Sequence, residues 1–183
     1  MNQEQALKNL IDTEEVLRKI DVRHFVTDGT LLGFFREGQF LEHDEDIDFG
    51  VFAEDFDYSV LGSLIAGMNF KGFTLNSALG NFNKYFELSF RRNQIKVDVF
   101  FYRKIDDKRV FHAFQNGYRN GESDVINYFY PEELIGNCKK ATFYGFDIYV
   151  PYDVDGFLTF KYGNWREVVK DWDWRFGPKN ILK

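Results

Sequence analysis

HDEDIDFGVF, residues 43–52, sets four acidic residues within five positions and follows them at once with an apolar run. Read as a strand, its side chains alternate between two faces. Ile47, Phe49 and Val51 then share a face suited to a core, and Asp46 and Asp48 share the other. Carboxylates at i and i+2 stand roughly 7 Å apart at their Cα atoms, close enough for the side chains to converge on one or two cations. Asp44 joins them if the extended conformation begins that early. Ligands that are all oxygen suit magnesium or manganese. Two rival readings exist. A calcium loop of the EF-hand type needs glycine directly after its third acid and glutamate at its twelfth place, where this chain has Phe49 and Asp55. A solvated acidic edge without any ligand does not require acids to alternate with core residues.

Moving outward, IKVDVFFY (95–102) holds one acid, Asp98, in an otherwise apolar strand. Burying an Asp there is costly unless it is paired or bound to a metal. Asp98 is therefore either a third carboxylate beside Asp46 and Asp48, of the kind a two-metal phosphoryl-transfer site uses, or the partner of Lys96, Lys84 or an arginine. Upstream, TDGTLLGFFREG (27–38) reads as a strand end, a Asp-Gly-Thr turn and a short helix, a junction that aims backbone N–H groups at an anion. Gly29 permits close approach of a phosphate, Thr30 caps or donates its hydroxyl, and Arg36 supplies a charged fork or is an ordinary helix charge. His43 is a hydrogen-bonded neighbour of the acids. Lys84 is a candidate neutraliser of a pyrophosphate because its strand leads towards that of Asp98. Arg91 and Arg92 are candidates for the same role, or else the solvated charges of a turn.

The rest of the pattern predicts a helix over 3–20, a strand over 23–27, a helix over 30–38, and another over 55–70. Strands follow at 73–79, 84–91, 95–103 and 110–116, with a turn at 92–94. Residues 117–130 read as loop. A short turn or helix at 131–136, a hairpin around Gly145 and a helix over 153–163 complete the chain. The fold class is α+β, with no repeat, linker or domain boundary over residues 1–183.

Composition narrows the function. The 183 residues carry a net charge of −6, whereas nucleic-acid binding calls for a basic footprint. One cysteine, Cys138, rules out an internal disulfide. No run reaches the roughly 18 apolar residues of a membrane span, and MNQEQALKNL lacks a signal-peptide core, so a soluble, cytoplasmic protein is expected. The 22 Phe and 10 Tyr predict an aromatic-packed core.

Taken together, GTLLGFFREGQFLEHDEDIDFGVF resembles the signature of the LicD-like and fukutin-related proteins. In that family a Gly-Thr-Leu-Leu-Gly turn, an Arg and an Asp-x-Asp-x-Asp strand recur in this order. VDVF (97–100) and the closing VPYDVDGFLTFKYGNW (150–165) extend the likeness over most of the chain. Leu41-Glu42-His43 departs from the Pro-Trp that members often carry before the acids. The resemblance implies a nucleotidyltransferase fold shared with DNA polymerase beta: a mixed β-sheet flanked by helices, here close to a minimal catalytic core. It implies a metal-dependent phosphotransferase moving phosphocholine or an alditol phosphate from a CDP-linked donor to a sugar or glycan acceptor. It also implies Asp46 and Asp48 as magnesium ligands, Asp98 as third carboxylate, and Gly29, Thr30 and Arg36 as phosphate contacts. Asp44 matches a further family acid. Whether Asp98 is ligand or general base, and whether one metal or two act, stays open. So do two rival functions: a nucleotidyltransferase acting on a small molecule or protein, and a catalytically silent module that binds a cation or nucleotide.

Overall fold

The computed structural model describes residues 1–114 and 125–182. The acidic stretch forms strand β2 (Asp46–Phe52), preceded by helix α1 (Gln3–Lys19), strand β1 (His24–Val26) and helix α2 (Asp28–Glu37). Because residues 46–52 are strand, the calcium-loop reading falls. A 3-10 turn (Ala53–Asp55) leads into helix α3 (Tyr58–Phe70). The acids expected inside that helix lie before it. Asp57 caps it by accepting from the N–H groups of Ser59 and Val60, both at 2.8 Å. Asp55 takes the Arg23 guanidinium instead.

Strands β3 (Thr74–Asn81), β4 (Tyr85–Arg92) and β5 (Ile95–Ile105) form a meander. The β4–β5 turn places Asn93 and Gln94 at φ 52° and 68°, the left-handed pair that a two-residue hairpin requires. Strands β6 (Lys108–Phe114) and β7 (Val125–Pro131) pair antiparallel. Residues 125–130 thus belong to a strand rather than a loop, and 115–124 lie outside the described residues. The sign of β7 is its alternation: Ile126, Tyr128 and Tyr130 are buried, and the residues between them are half-buried. Helix α4 (Glu132–Ile135), the hairpin β8 (Lys139–Phe143) and β9 (Phe146–Val150), and helix α5 (Val154–Tyr162) follow.

The main sheet runs β1-β2-β5-β4-β3, with β6 joined to the far end of β5 and β7 to β6. Only β2 and β5 are parallel among the described pairs, so the sheet is mixed. One face is apolar: Ile47 and Phe49 stand opposite Val97 and Val99, all buried, in a cluster with Leu10 and Leu17 of α1 and Leu64 and Met68 of α3. Apart from Leu10, the largest fully buried side chains are Phe and Tyr. Each such ring removes a large apolar area from water. The other face carries the acids.

Candidate active site

Parallel register puts Asp46 opposite Lys96 and Asp48 opposite Asp98. Paired residues share a face, so all four side chains rise from the same side of the sheet. Asp44 reaches in from the turn before β2, and oxygens of Asp44, Asp46 and Asp48 lie within 4.8 Å of one another. The compact trio is therefore 44, 46 and 48, with Asp98 standing beside Asp48. Lys96 Nζ bonds Asp98 Oδ2 at 2.9 Å and contacts Asp46 Oδ2 at 3.3 Å. The ion pair allowed for Asp98 exists, yet it uses one oxygen: among the described residues Oδ1 is buried without a well-aligned hydrogen bond, the Ser89 side chain being the polar neighbour that favours its charged form.

Helix α2 braces the strand. Thr30 Oγ1 accepts from the Asp48 N–H at 2.9 Å, and the Thr30 N–H points to Asp48 Oδ2 at 3.4 Å. The Thr27 N–H donates to the Asp48 carbonyl at 3.0 Å. Gly29 matters sterically, because a Cβ there would run into the Asp44 carboxylate. The Asp-Gly-Thr turn is in fact the first turn of the helix, and its Asp28 takes φ 46°. That left-handed conformation is uncommon outside Gly, although Asp tolerates it better than most. Lys161, from α5, forms an ion pair with Asp28.

The charge balance is unfavourable as it stands. Burial, then Asp46 and Asp28, drives the Asp48 carboxyl well above its ordinary range. Burial and then Asp46 push Asp44 up to about 8. Burial raises Asp98 too, with Lys96 opposing it. Asp44, Asp48 and Asp98 each hold protons more tightly than a free carboxylate, chiefly because they are buried and secondarily because like charges crowd them.

These groups line a cavity of about 660 Å³. Arg36 and His43 edge it, with the Arg36 guanidinium held by Glu37 at 2.8 Å. Lys84 does not line it. Residue 84 is exposed in the β3–β4 turn. Its strand runs antiparallel to β5 and meets Asp98 at Ser89, five residues on, or roughly 17 Å at strand rise. Lys161 and Glu87 were missed by sequence reasoning as members of the site, and Lys96 was weighed only as a partner of Asp98. Lys96 had a visible signal, since it is two residues from Asp98 and so on the same face.

A mixed sheet carrying paired aspartates at a parallel strand pair, with a helix start beside them, defines a domain of the nucleotidyltransferase fold. Solved structures agree: the antibiotic-resistance factor ANT(2'')-Ia superposes with TM-score 0.51 at 11% identity, covering 81% of this chain and 66% of that one. The lincosamide antibiotic adenylyltransferase LnuA gives 0.50 at 12%, covering 82% and 83%. Residues 21–153 match the LicD/FKTN/FKRP nucleotidyltransferase domain, and the chain belongs to that family. Family and fold together make it a transferase domain. The human ribitol-5-phosphate transferase FKTN is 27% identical over 169 residues, 91% of this chain and 34% of that protein. An uncharacterised Caenorhabditis elegans protein is 29% identical over 187 residues, 97% and 47%. The chain thus spans about a third to a half of the length of these relatives. No helix among the described residues is long and apolar enough to cross a membrane.

Proposed function

We propose that the chain transfers a phosphorylated small alcohol, phosphocholine or an alditol phosphate such as ribitol phosphate, from a CDP-linked donor to a hydroxyl of a sugar or glycan. The observation that carries this reading is the meeting of Asp44, Asp46 and Asp48 within 4.8 Å, beside the in-register Asp98, on the floor of a cavity. Family membership supports the choice of chemistry, and the likeness to a human ribitol-5-phosphate transferase supports the choice of cargo.

The residues fit a divalent cation. The donor set is all carboxylate oxygen, which favours magnesium or manganese. Asp98 Oδ1 is buried and lies outside the Lys96 bond, and raised proton affinity marks the same cluster. Asp46 and Asp48 would hold the ion, with Asp44 and Asp98 adjoining. When bound, it supplies charge neutralisation for a diphosphate and for the leaving nucleotide. The chain does the positioning. Thr30 fixes Asp48 through the backbone, and Gly29 leaves the space that Asp44 occupies. Lys96 ties Asp46 to Asp98 and keeps the two strands' acids in step. Arg36, at the cavity edge, offers a planar fork to a phosphate that competes with Glu37.

The test is a melting series with CDP, CDP-ribitol, CDP-choline and CTP, with and without manganese, followed by product analysis. Manganese-dependent stabilisation by the CDP compounds and release of CMP are expected. Asp46→Asn and Asp48→Asn should fold normally and lose both. Wild-type turnover in either variant, or release of pyrophosphate from CTP instead of CMP from the CDP donors, refutes the reading.

A further inference from the structure

The floor of the cavity holds a carboxylate that the cation cluster leaves unused. Glu87 lies in β4, is 9% exposed, and lines the cavity. Ser89 stands opposite Asp98 and Glu87 opposite Phe100. Glu87 therefore rises from the same face as Asp98, one pleat further along, roughly 7 Å at the backbone. There the cavity changes character. Phe100 stands directly across from Glu87, Phe114 bonds to it, and Phe111 and Ala113 also line the cavity. Its Oε2 accepts the Phe114 N–H at 3.1 Å, and among the described residues no other hydrogen bond reaches the carboxylate.

Glu87 also differs from the other acids in what holds it. Asp98 is bonded by Lys96 through one of its oxygens. Asp44, Asp46 and Asp48 crowd one another. Glu87 makes no ion pair among the described residues. We propose that Glu87 is the general base of the transfer, taking the proton from a substrate hydroxyl that binds against the apolar wall of Phe100, Ala113 and Phe114. The assignment rests on the phosphotransfer reading above. In the step, the hydroxyl oxygen forms a bond to the donor's phosphorus as its proton passes to Glu87. The bond from that phosphorus to the bridging oxygen breaks, and its electron pair leaves with CMP. Burial, reinforced by Asp98 and opposed by the Phe114 N–H and Lys96, with Asp46 adding to it, raises the Glu87 carboxyl to about 8. A carboxyl in this range is the unprotonated base only as pH rises through about 8, so CMP release should climb over that interval.

Glu87→Gln separates this role from a structural one, because the amide oxygen still accepts the Phe114 N–H. The variant is compared with the wild type in melting temperature, in manganese-dependent binding of CDP, and in CMP release from CDP-ribitol and CDP-choline in the presence of a panel of free sugars as hydroxyl acceptors. Unchanged melting and binding with CMP release reduced at least about 100-fold is the expected result. CMP release within threefold of wild type overturns the proposal. A loss of release matched by a loss of CDP binding also overturns it, placing Glu87 in the donor site. If the wild type releases CMP from neither donor, the phosphotransfer reading fails and the assignment fails with it.

Discussion

Gly29→Ala gives the sharpest test of how helix α2 and the acids fit together. The added methyl would overlap the Asp44 carboxylate, and the next atoms it meets are Asp44 Cγ at 3.3 Å and Asp48 Oδ2 at 3.5 Å. Comfortable packing requires about 3.5–4 Å, so the end of the Asp44 side chain must withdraw by about 1 Å. The backbone need not move, because the obstructing atom is the tip of a side chain. In a helix, Ala is favoured over Gly by about 0.8–1 kcal/mol, so the fold itself should melt at the same temperature or slightly higher. The cation site should suffer. A displacement of about 1 Å in a group that must be held to a fraction of that can cost about 100-fold. At manganese 100 times the wild-type Kd, the wild type gains about 2.7 kcal/mol from binding, and a variant with 100-fold weaker affinity gains about 0.4 kcal/mol. Melting curves with and without manganese read both quantities in one experiment. An alanine variant that binds manganese as tightly as the wild type would refute the steric argument, and one that melts several degrees lower without metal would refute the claim that the clash is confined to Asp44.

Thr30→Val should lower stability by about 1–3 kcal/mol, since the buried Asp48 N–H loses its acceptor; Thr30→Ser restores it, and denaturant titration of the pair checks this. Lys161→Met leaves Asp28 buried without its partner, and breaking such a pair costs about 3–5 kcal/mol. Adding Asp28→Asn to that variant should recover part of the loss, measured by a double-mutant cycle. Asp12 carries a pH signature. Burial alone would raise its carboxyl, but hydrogen bonds from Lys71 at 3.0 Å and contact with Arg92 at 2.7 Å outweigh that and hold it below 3.8. A depressed folded-state pKa stabilises above the unfolded value and stops doing so as pH falls through the folded one. The stability gap between wild type and Asp12→Asn should therefore be constant near neutrality and close as pH drops below about 4; with the groups partly exposed, the gap is at most about 1 kcal/mol.

Much of the site was readable because its chemistry is local. Asp46, Ile47, Asp48 and Phe49 announce their faces by alternation alone, and β2 buries Ile47 and Phe49 while raising the two acids on the other side. Asp98 was legible as an acid in an apolar run. Its place beside Asp48 was not, because alternation gives facing but not register. The same gap misplaced Lys84: β4 turns back on β5, so the start of its strand lies far from Asp98. Glu87, three residues further along, sits in FELSF as one polar residue of an alternating strand, and nothing local distinguishes it from a solvated glutamate. β7 was lost because its aromatic alternation follows a stretch without clear signals.

The bond from Lys161 to Asp28 joins positions 133 residues apart. A helix that arrives so late in the chain steadies the left-handed residue at which α2 begins, and with it the turn that sets Asp48. Until α5 has been made, Asp28 has no Lys161 to pair with. Loss of α5 would take away the Lys161 partner of Asp28 and so loosen, from the far end of the chain, the turn that braces Asp48.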